Sequence, residues 1–192
     1  ILIPLSGTSK NANKYPSREV TVAASVSEEP SSDKSRASGT YSASFEVLIK
    51  EALATSVSSV TEEELGRFKY LSMRKGEAGW MITYSFENPI VAAEQGQDAD
   101  INVVVCQEAL DIQDIAALPQ LEYLNLDHTE LPEGSLETLS SLKMITCDYI
   151  QLDMLRLALG DAAKGLERLN ASHLTSLEEL SYFPGLKSLE ME

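Results

Sequence analysis

Six copies of one hexapeptide pattern, apolar-x-x-apolar-x-apolar, constrain this chain more than any other feature. They are "FKYLSM" at 68–73, "INVVVC" at 101–106, "LEYLNL" at 121–126, "LKMITC" at 142–147, "LERLNA" at 166–171 and "LKSLEM" at 186–191. From the second copy on, the starts are separated by 20, 21, 24 and 20 residues. The last two apolar residues of each hexamer stand two apart and so share one face of a strand, while the first packs where the chain turns into it. A second column keeps the register: three residues before the starts lie Leu65, Leu118, Leu139, Ala163 and Phe183, with Asp98 as the exception. One such unit cannot bury its own apolar face, whereas stacked units share a core and align their strands in a sheet.

This period is that of leucine-rich repeats. The expectation is an α/β solenoid, a leucine-rich repeat with a parallel concave sheet of about six strands and a helical N-terminal cap. Convex stretches such as "GSLETLSS" and "LRLALGDAAKG" would carry the chain back between strands. The cap is expected at 41–67, where Phe45, Leu48, Ile49, Ala52 and Leu53 recur at helical spacing behind Ser44 as N-cap. Thr61 and Glu64 follow at capping-box spacing, ahead of Leu65 and Phe68. The repeats occupy 68–192, and the long first one holds an insertion at 74–100 with the only Trp, Trp80, in an alternating "WMITYSF" that reads as an additional strand. The insertion shields the cap or, on a functional reading, serves as a ligand-gripping flap.

Residues 1–40 are rich in Ser, Lys, Thr and Ala and read as a tether or linker, because such a composition cannot offset its own ordering entropy. Its exception is "VTVAASV", where Val20, Val22, Ala24 and Val26 alternate as in an exposed strand. "ILIPLSG" at 1–7 is either the remnant of a secretory signal or merely a ragged start. Net charge is -15, distributed as +1 over 1–40, -5 over 41–100 and -11 over 101–192. With no stripe of Lys and Arg to neutralise phosphates, nucleic acid and anionic membrane rank low as partners. No apolar run reaches the roughly 18 residues of a membrane span.

The run "FEVLIKEALATSVSSVTEEELGRFKYLSM" followed by repeats such as "LPQLEYLNLDHTEL" resembles the helical N-terminal cap and first repeats of bacterial extracellular leucine-rich repeat proteins of the internalin-like kind. The resemblance covers about residues 44–192 and implies an extracellular or cell-surface location with any signal peptide removed. It departs from the family at the ninth repeat position, where Ala109, Thr129, Ile150 and Leu174 replace the asparagine of an edge ladder.

The letters between the leucines are the candidate site. Written as columns across the sheet they run Asn102, Glu122, Lys143, Glu167, Lys187; then Val103, Tyr123, Met144, Arg168, Ser188; then Val105, Asn125, Thr146, Asn170, Glu190; then Gln107, Asp127, Asp148, Ser172, Glu192. Tyr, Met and Arg are enriched in protein interfaces. The expected partner-binding patch is therefore Tyr123, Met144 and Arg168 flanked by Asn125, Thr146, Asn170, Asp127 and Asp148. Cys106 and Cys147 share the inward third position in copies separated by one other, nearly 10 Å apart at about 4.8 Å per strand, too far for a disulfide. Two free, buried thiols are expected.

His128 and His173 follow copies separated by one other, too far apart to assemble a Ser-His-Asp contact. No metal-ligand spacing and no Gly-rich phosphate loop occur. No cofactor, metal or catalytic residue is called. The function expected is a noncatalytic secreted or surface module that binds a protein or glycan on its concave sheet. The alternative is a structural or assembly protein that self-associates through its C-terminal end, since the chain stops at "LEME" inside a repeat without an obvious cap.

Overall fold

The computed structural model describes residues 41–126, 131–147, 151–171 and 178–190. In chain order these form α1 (Ala43–Leu53), α2 (Glu62–Leu65), β1 (Tyr70–Gly76), β2 (Gly79–Ser85), α3 (Pro89–Glu94), β3 (Asn102–Cys106), α4 (Ile112–Ala116), β4 (Tyr123–Leu126), β5 (Met144–Cys147), α5 (Leu152–Leu159), β6 (Arg168–Ala171) and β7 (Ser188–Glu190). Turns of 3-10 helix follow α5 at Gly160–Gly165 and precede β7 at Glu178–Tyr182. The tether at 1–40 and its alternating stretch lie outside the described residues.

The seven strands make one mixed sheet in the order β3-β2-β1-β4-β5-β6-β7. β1 and β2 are antiparallel, as are β2 and β3, whereas β1, β4, β5, β6 and β7 run parallel. This overturns the expected leucine-rich repeat solenoid with about six parallel strands. The fold is a mixed α/β sheet with five short helices among the described residues. Two local causes produce the difference. "WMITYSF" is indeed a strand, but Glu77 and Ala78 form a two-residue turn that folds it back on β1, with Gly76 opposite Gly79. Gly79 has φ +134, and a Cβ there would collide with the carbonyl oxygen of Cys106, so the turn and the close approach of β3 both require glycine. The 101–106 copy is thereby carried to the far side of β2 instead of lying between β1 and β4.

One face of the sheet carries the core. Leu71, Met73, Ile82, Tyr84, Val104, Leu124, Leu126, Ile145, Leu169 and Ala171 are buried there with Phe45, Leu48 and Ile49 of α1, Ile115 of α4 and Leu152, Leu155 and Leu159 of α5. Trp80 packs partly buried against the same core. The N-cap of α1 is Ser42, whose side chain accepts from the Phe45 N–H at 3.2 Å. Ser44, the residue expected in that role, lies inside the helix, buried, and donates its Oγ to the Glu108 carbonyl at 2.7 Å. The capping box of α2 is as expected: the Glu64 N–H donates to Thr61 Oγ1 at 3.2 Å and the Thr61 N–H to Glu64 Oε2 at 2.9 Å.

Helix α4 is locked to α1 by a buried carboxylate. Asp114 has no exposed surface and accepts from the Ser42 N–H at 3.1 Å, the Ser42 hydroxyl at 2.5 Å and the Asp111 N–H at 2.8 Å. Both cysteines are buried thiols outside any disulfide, but for a corrected reason. They sit on β3 and β5, four strand steps apart in the sheet rather than two, which is roughly 19 Å at about 4.8 Å per step.

Candidate functional site: the second face of the sheet

Because side chains alternate along a strand, the residues between the core positions emerge together on the opposite face. Parallel register aligns them in rows. One row runs Tyr70, Tyr123, Met144, Arg168 and Ser188 across β1, β4, β5, β6 and β7. The next runs Val103, Thr83, Ser72, Asn125, Thr146, Asn170 and Glu190 across all seven strands. Six of the eight expected site residues are therefore neighbours as expected. Asp127 and Asp148 lie outside the described residues, as do His128 and His173.

The columns begin differently from the sequence expectation. Asn102, Val103, Val105 and Gln107 do not stand beside β4, since β3 is at the far edge, and Val103 falls in the row of Asn125 rather than that of Tyr123. Tyr70 and Ser72 flank Tyr123 and Asn125 instead. The signal was present in the first hexamer, where Tyr70 aligns with Tyr123.

Burial sets Tyr123 apart from the other residues of both rows. Tyr123 is only 7% exposed. It stacks on Tyr70 with centroids 4.5 Å apart and rings 4° from parallel, and its hydroxyl shares a hydrogen bond of 3.1 Å with Thr146 Oγ1. Burial pushes its phenol pKa up, against the opposing pull of hydrogen bonds with Thr146, Asn125 and Tyr70. It is scaffold rather than an exposed anchor. Asn125, Thr146, Asn170 and Ser72 are half-buried, with side chains on the open face.

The insertion crosses this face. Asn88 caps α3, its Oδ1 accepting from the Ile90 and Val91 N–H groups at 3.2 and 3.4 Å, and its Nδ2 donates to Glu122 Oε2 at 3.4 Å. At the other end of α3, Glu94 forms an ion pair with Arg168 of β6. That hydrogen bond holds the Glu94 carboxyl below the usual carboxylate range. Helix α3 thus spans from the entrance of β4 to β6. Ala92 at its centre and Tyr123 are both buried, yet neither belongs to the principal core, which is the pattern of a strap packed on the sheet's second face. No periodicity in the sequence announces such a crossing.

At the strand entrances lies an alternating charge column: Lys69, Glu122, Lys143, Glu167, Lys187. Lys69 is 3.5 Å from Glu122, Lys143 is 3.9 Å from Glu167, and Lys187 is 2.9 Å from Glu167. Chemically, the face offers amide and hydroxyl groups in a fixed row, beside a charged margin. Among the described residues no group of three or more His, Cys, Asp and Glu gathers to hold a metal. No helix among them is long and apolar enough to cross a membrane. No protein-family model and no curated protein matches the chain.

Proposed function

We propose that the chain is a noncatalytic module that binds a protein or glycan partner on the open face of its sheet. The observation that supports this reading is the uninterrupted row of Ser72, Asn125, Thr146 and Asn170 across adjacent parallel strands. Short amide and hydroxyl side chains both donate and accept hydrogen bonds, and a sheet holds them at fixed spacing of about 4.8 Å. Little ordering entropy is then left to lose when an extended polar partner docks. An extracellular or cell-surface location belongs to the same proposal.

The test replaces Asn125 and Asn170 with Leu, confirms the fold by circular dichroism, and compares the two proteins on a glycan array and a displayed peptide library. Ligands selected by the native chain should bind the double variant at least tenfold more weakly. Equal binding by a folded double variant removes the open face from consideration. Self-association as a structural protein is the second reading, favoured by β7, which has a single neighbouring strand among the described residues. Light scattering over a concentration series decides it, and a monomer throughout ends it.

A further inference from the structure

On the helical side of the sheet, α4 and the turn at 132–135 leave between them a cleft of about 400 Å3. Its walls are predominantly apolar: the ring of Tyr41, then Ile112 and Ala116 of α4, its C-cap Ala117, and Pro132. Tyr41 is itself held in place, stacked on Phe45 with ring centroids 4.8 Å apart. The Thr138 hydroxyl donates to the Ala116 carbonyl at 2.9 Å and so fixes the spacing of the two walls. Neither wall covers the other, since Tyr41, Ile112, Ala116 and Ala117 are only half-buried.

One polar group in the wall is incomplete. The Ser135 hydroxyl is buried and has no hydrogen-bond partner among the described residues, a state that costs free energy. Staggered rotation of so short a side chain is easy, and the cleft that Ser135 lines offers room for a partner N–H.

Charge and shape select the occupant. From Gly76 to Leu142 the chain has thirteen acidic residues and neither Lys nor Arg, and every lining residue except Tyr41 comes from that stretch. Asp111 and Glu133, which adjoin the lining in sequence, are exposed. On α1, which follows Tyr41, Glu46 stands in the first turn and Lys50 in the last. A cation is therefore welcome beside the cleft and an anion is not. Free small ligands are held by sites that enclose most of their surface. This cleft is open on one side, where Gln113 and Pro132 are exposed, so it can cover one side chain but cannot enclose a free molecule.

We propose that this cleft is a docking site for a basic peptide segment of a partner protein, which seats one large apolar side chain between Tyr41, Ala116 and Pro132. Lys or Arg residues on either side of that anchor lie against Asp111 and Glu133, and a backbone N–H of the segment pairs with the Ser135 hydroxyl. The site is on the opposite side of the sheet from the row of Asn125 and Asn170, so it stands or falls independently of binding on the open face.

Three labelled peptides, Lys-Lys-Phe-Lys-Lys, Lys-Lys-Ala-Lys-Lys and Glu-Glu-Phe-Glu-Glu, titrated against the full-length chain by fluorescence anisotropy, test the site. The first should bind at least tenfold more tightly than either of the others, and its NMR shift changes should centre on Tyr41, Ile112, Ala116 and Ser135. Ala116→Phe, which fills the cleft, should remove the advantage of Phe over Ala in the peptide while circular dichroism stays native. Glu133→Lys changes an exposed side chain only and should weaken the first peptide at least threefold, which keeps the test decisive if Ala116→Phe does not fold. The proposal is overturned if the Phe and Ala peptides bind alike, if the acidic peptide binds as well as the basic one, or if the shifts centre on another surface. Unchanged binding by folded Ala116→Phe or by Glu133→Lys also overturns it, as does the absence of binding by all three peptides. Phenethylammonium binding as tightly as the first peptide would assign the cleft to a small free amine instead.

Discussion

At the residue scale, Tyr123 shows how a side chain chosen as a contact by its type can instead belong to the frame. Its ring is closed in by the stack on Tyr70 and its hydroxyl is engaged by Thr146, so a partner would reach its neighbours first. Tyr123→Phe keeps the ring and loses the hydroxyl bond, which should cost about 1 kcal/mol in urea unfolding. Tyr123→Ala removes the ring as well and should cost about 3 kcal/mol. The phenol adds a pH dependence. Because burial raises its pKa above 10.0, the neutral form is the one the fold favours. Its contribution is complete below 10.0 and is lost as pH rises through the higher folded value. Tyr84 is raised too, by burial and then by Glu51. Absorbance titration should therefore find one fewer late-ionising tyrosine in Tyr123→Phe than in the native protein. An unchanged number in that variant would place Tyr123 elsewhere than in this stack.

At the element scale, α3 is fastened at unequal ends. Its N-terminus has the Asn88 cap and Pro89 in the first turn, both of which fix the entry of the chain. Its C-terminal end is held by Glu94 on Arg168, where the two side chains are 48% and 41% exposed. An exposed pair contributes little to global stability, so Glu94→Gln should leave the melting temperature nearly unchanged and accelerate amide exchange around residues 92–97. The lowered Glu94 pKa sets the pH window. The ion pair is intact above the ordinary value of 4.5 and is lost as pH falls through the lowered one, so the native protein should show the same acceleration only in acid. Identical exchange in the variant at neutral pH would mean that apolar packing alone holds α3. None of this crossing was readable beforehand, because the path of an insertion depends on what it meets in three dimensions. The hexamers were more informative. Alternation of apolar residues states which face a strand buries, and four copies do keep the predicted register, with Tyr123, Met144, Arg168 and Ser188 opposite one another. Alternation does not state a strand's direction or its neighbour, and that is where the 101–106 copy was misplaced. Two of its residues carried the warning. Asp98 broke the buried column and is exposed, and Ile101 is 37% exposed where Leu121 and Leu166 have no exposed surface.

At the scale of the whole molecule, the parallel half of the sheet is tied together at the strand entrances by two superposed ladders. In the backbone ladder, one carbonyl on each strand accepts two N–H groups from the next: Lys69 from Glu122 and Tyr123, Glu122 from Lys143 and Met144, Lys143 from Glu167 and Arg168, and Glu167 from Lys187 and Ser188. The same residues carry the alternating side-chain charges, so the register that closes one ladder also sets opposite charges side by side. Directly opposed like charges would resist that register, which gives the column a role in strand alignment despite the small worth of each exposed pair. Glu167 is the sharpest place to test it. Its carboxyl is held below the usual range by the hydrogen bond from Lys187, then by the charges of Lys187, Lys143 and Arg168, so it answers three cations at once. Glu167→Lys replaces that arrangement with a cluster of positive charge. It should lower the melting temperature in dilute buffer by more than Glu167→Gln does. Both deficits should shrink as salt approaches about 1 M, where the screening length falls to roughly 3 Å. A deficit of equal size at both salt concentrations would point to lost side-chain packing instead of charge. No deficit in dilute buffer would leave the backbone ladder alone as the element that fixes the register.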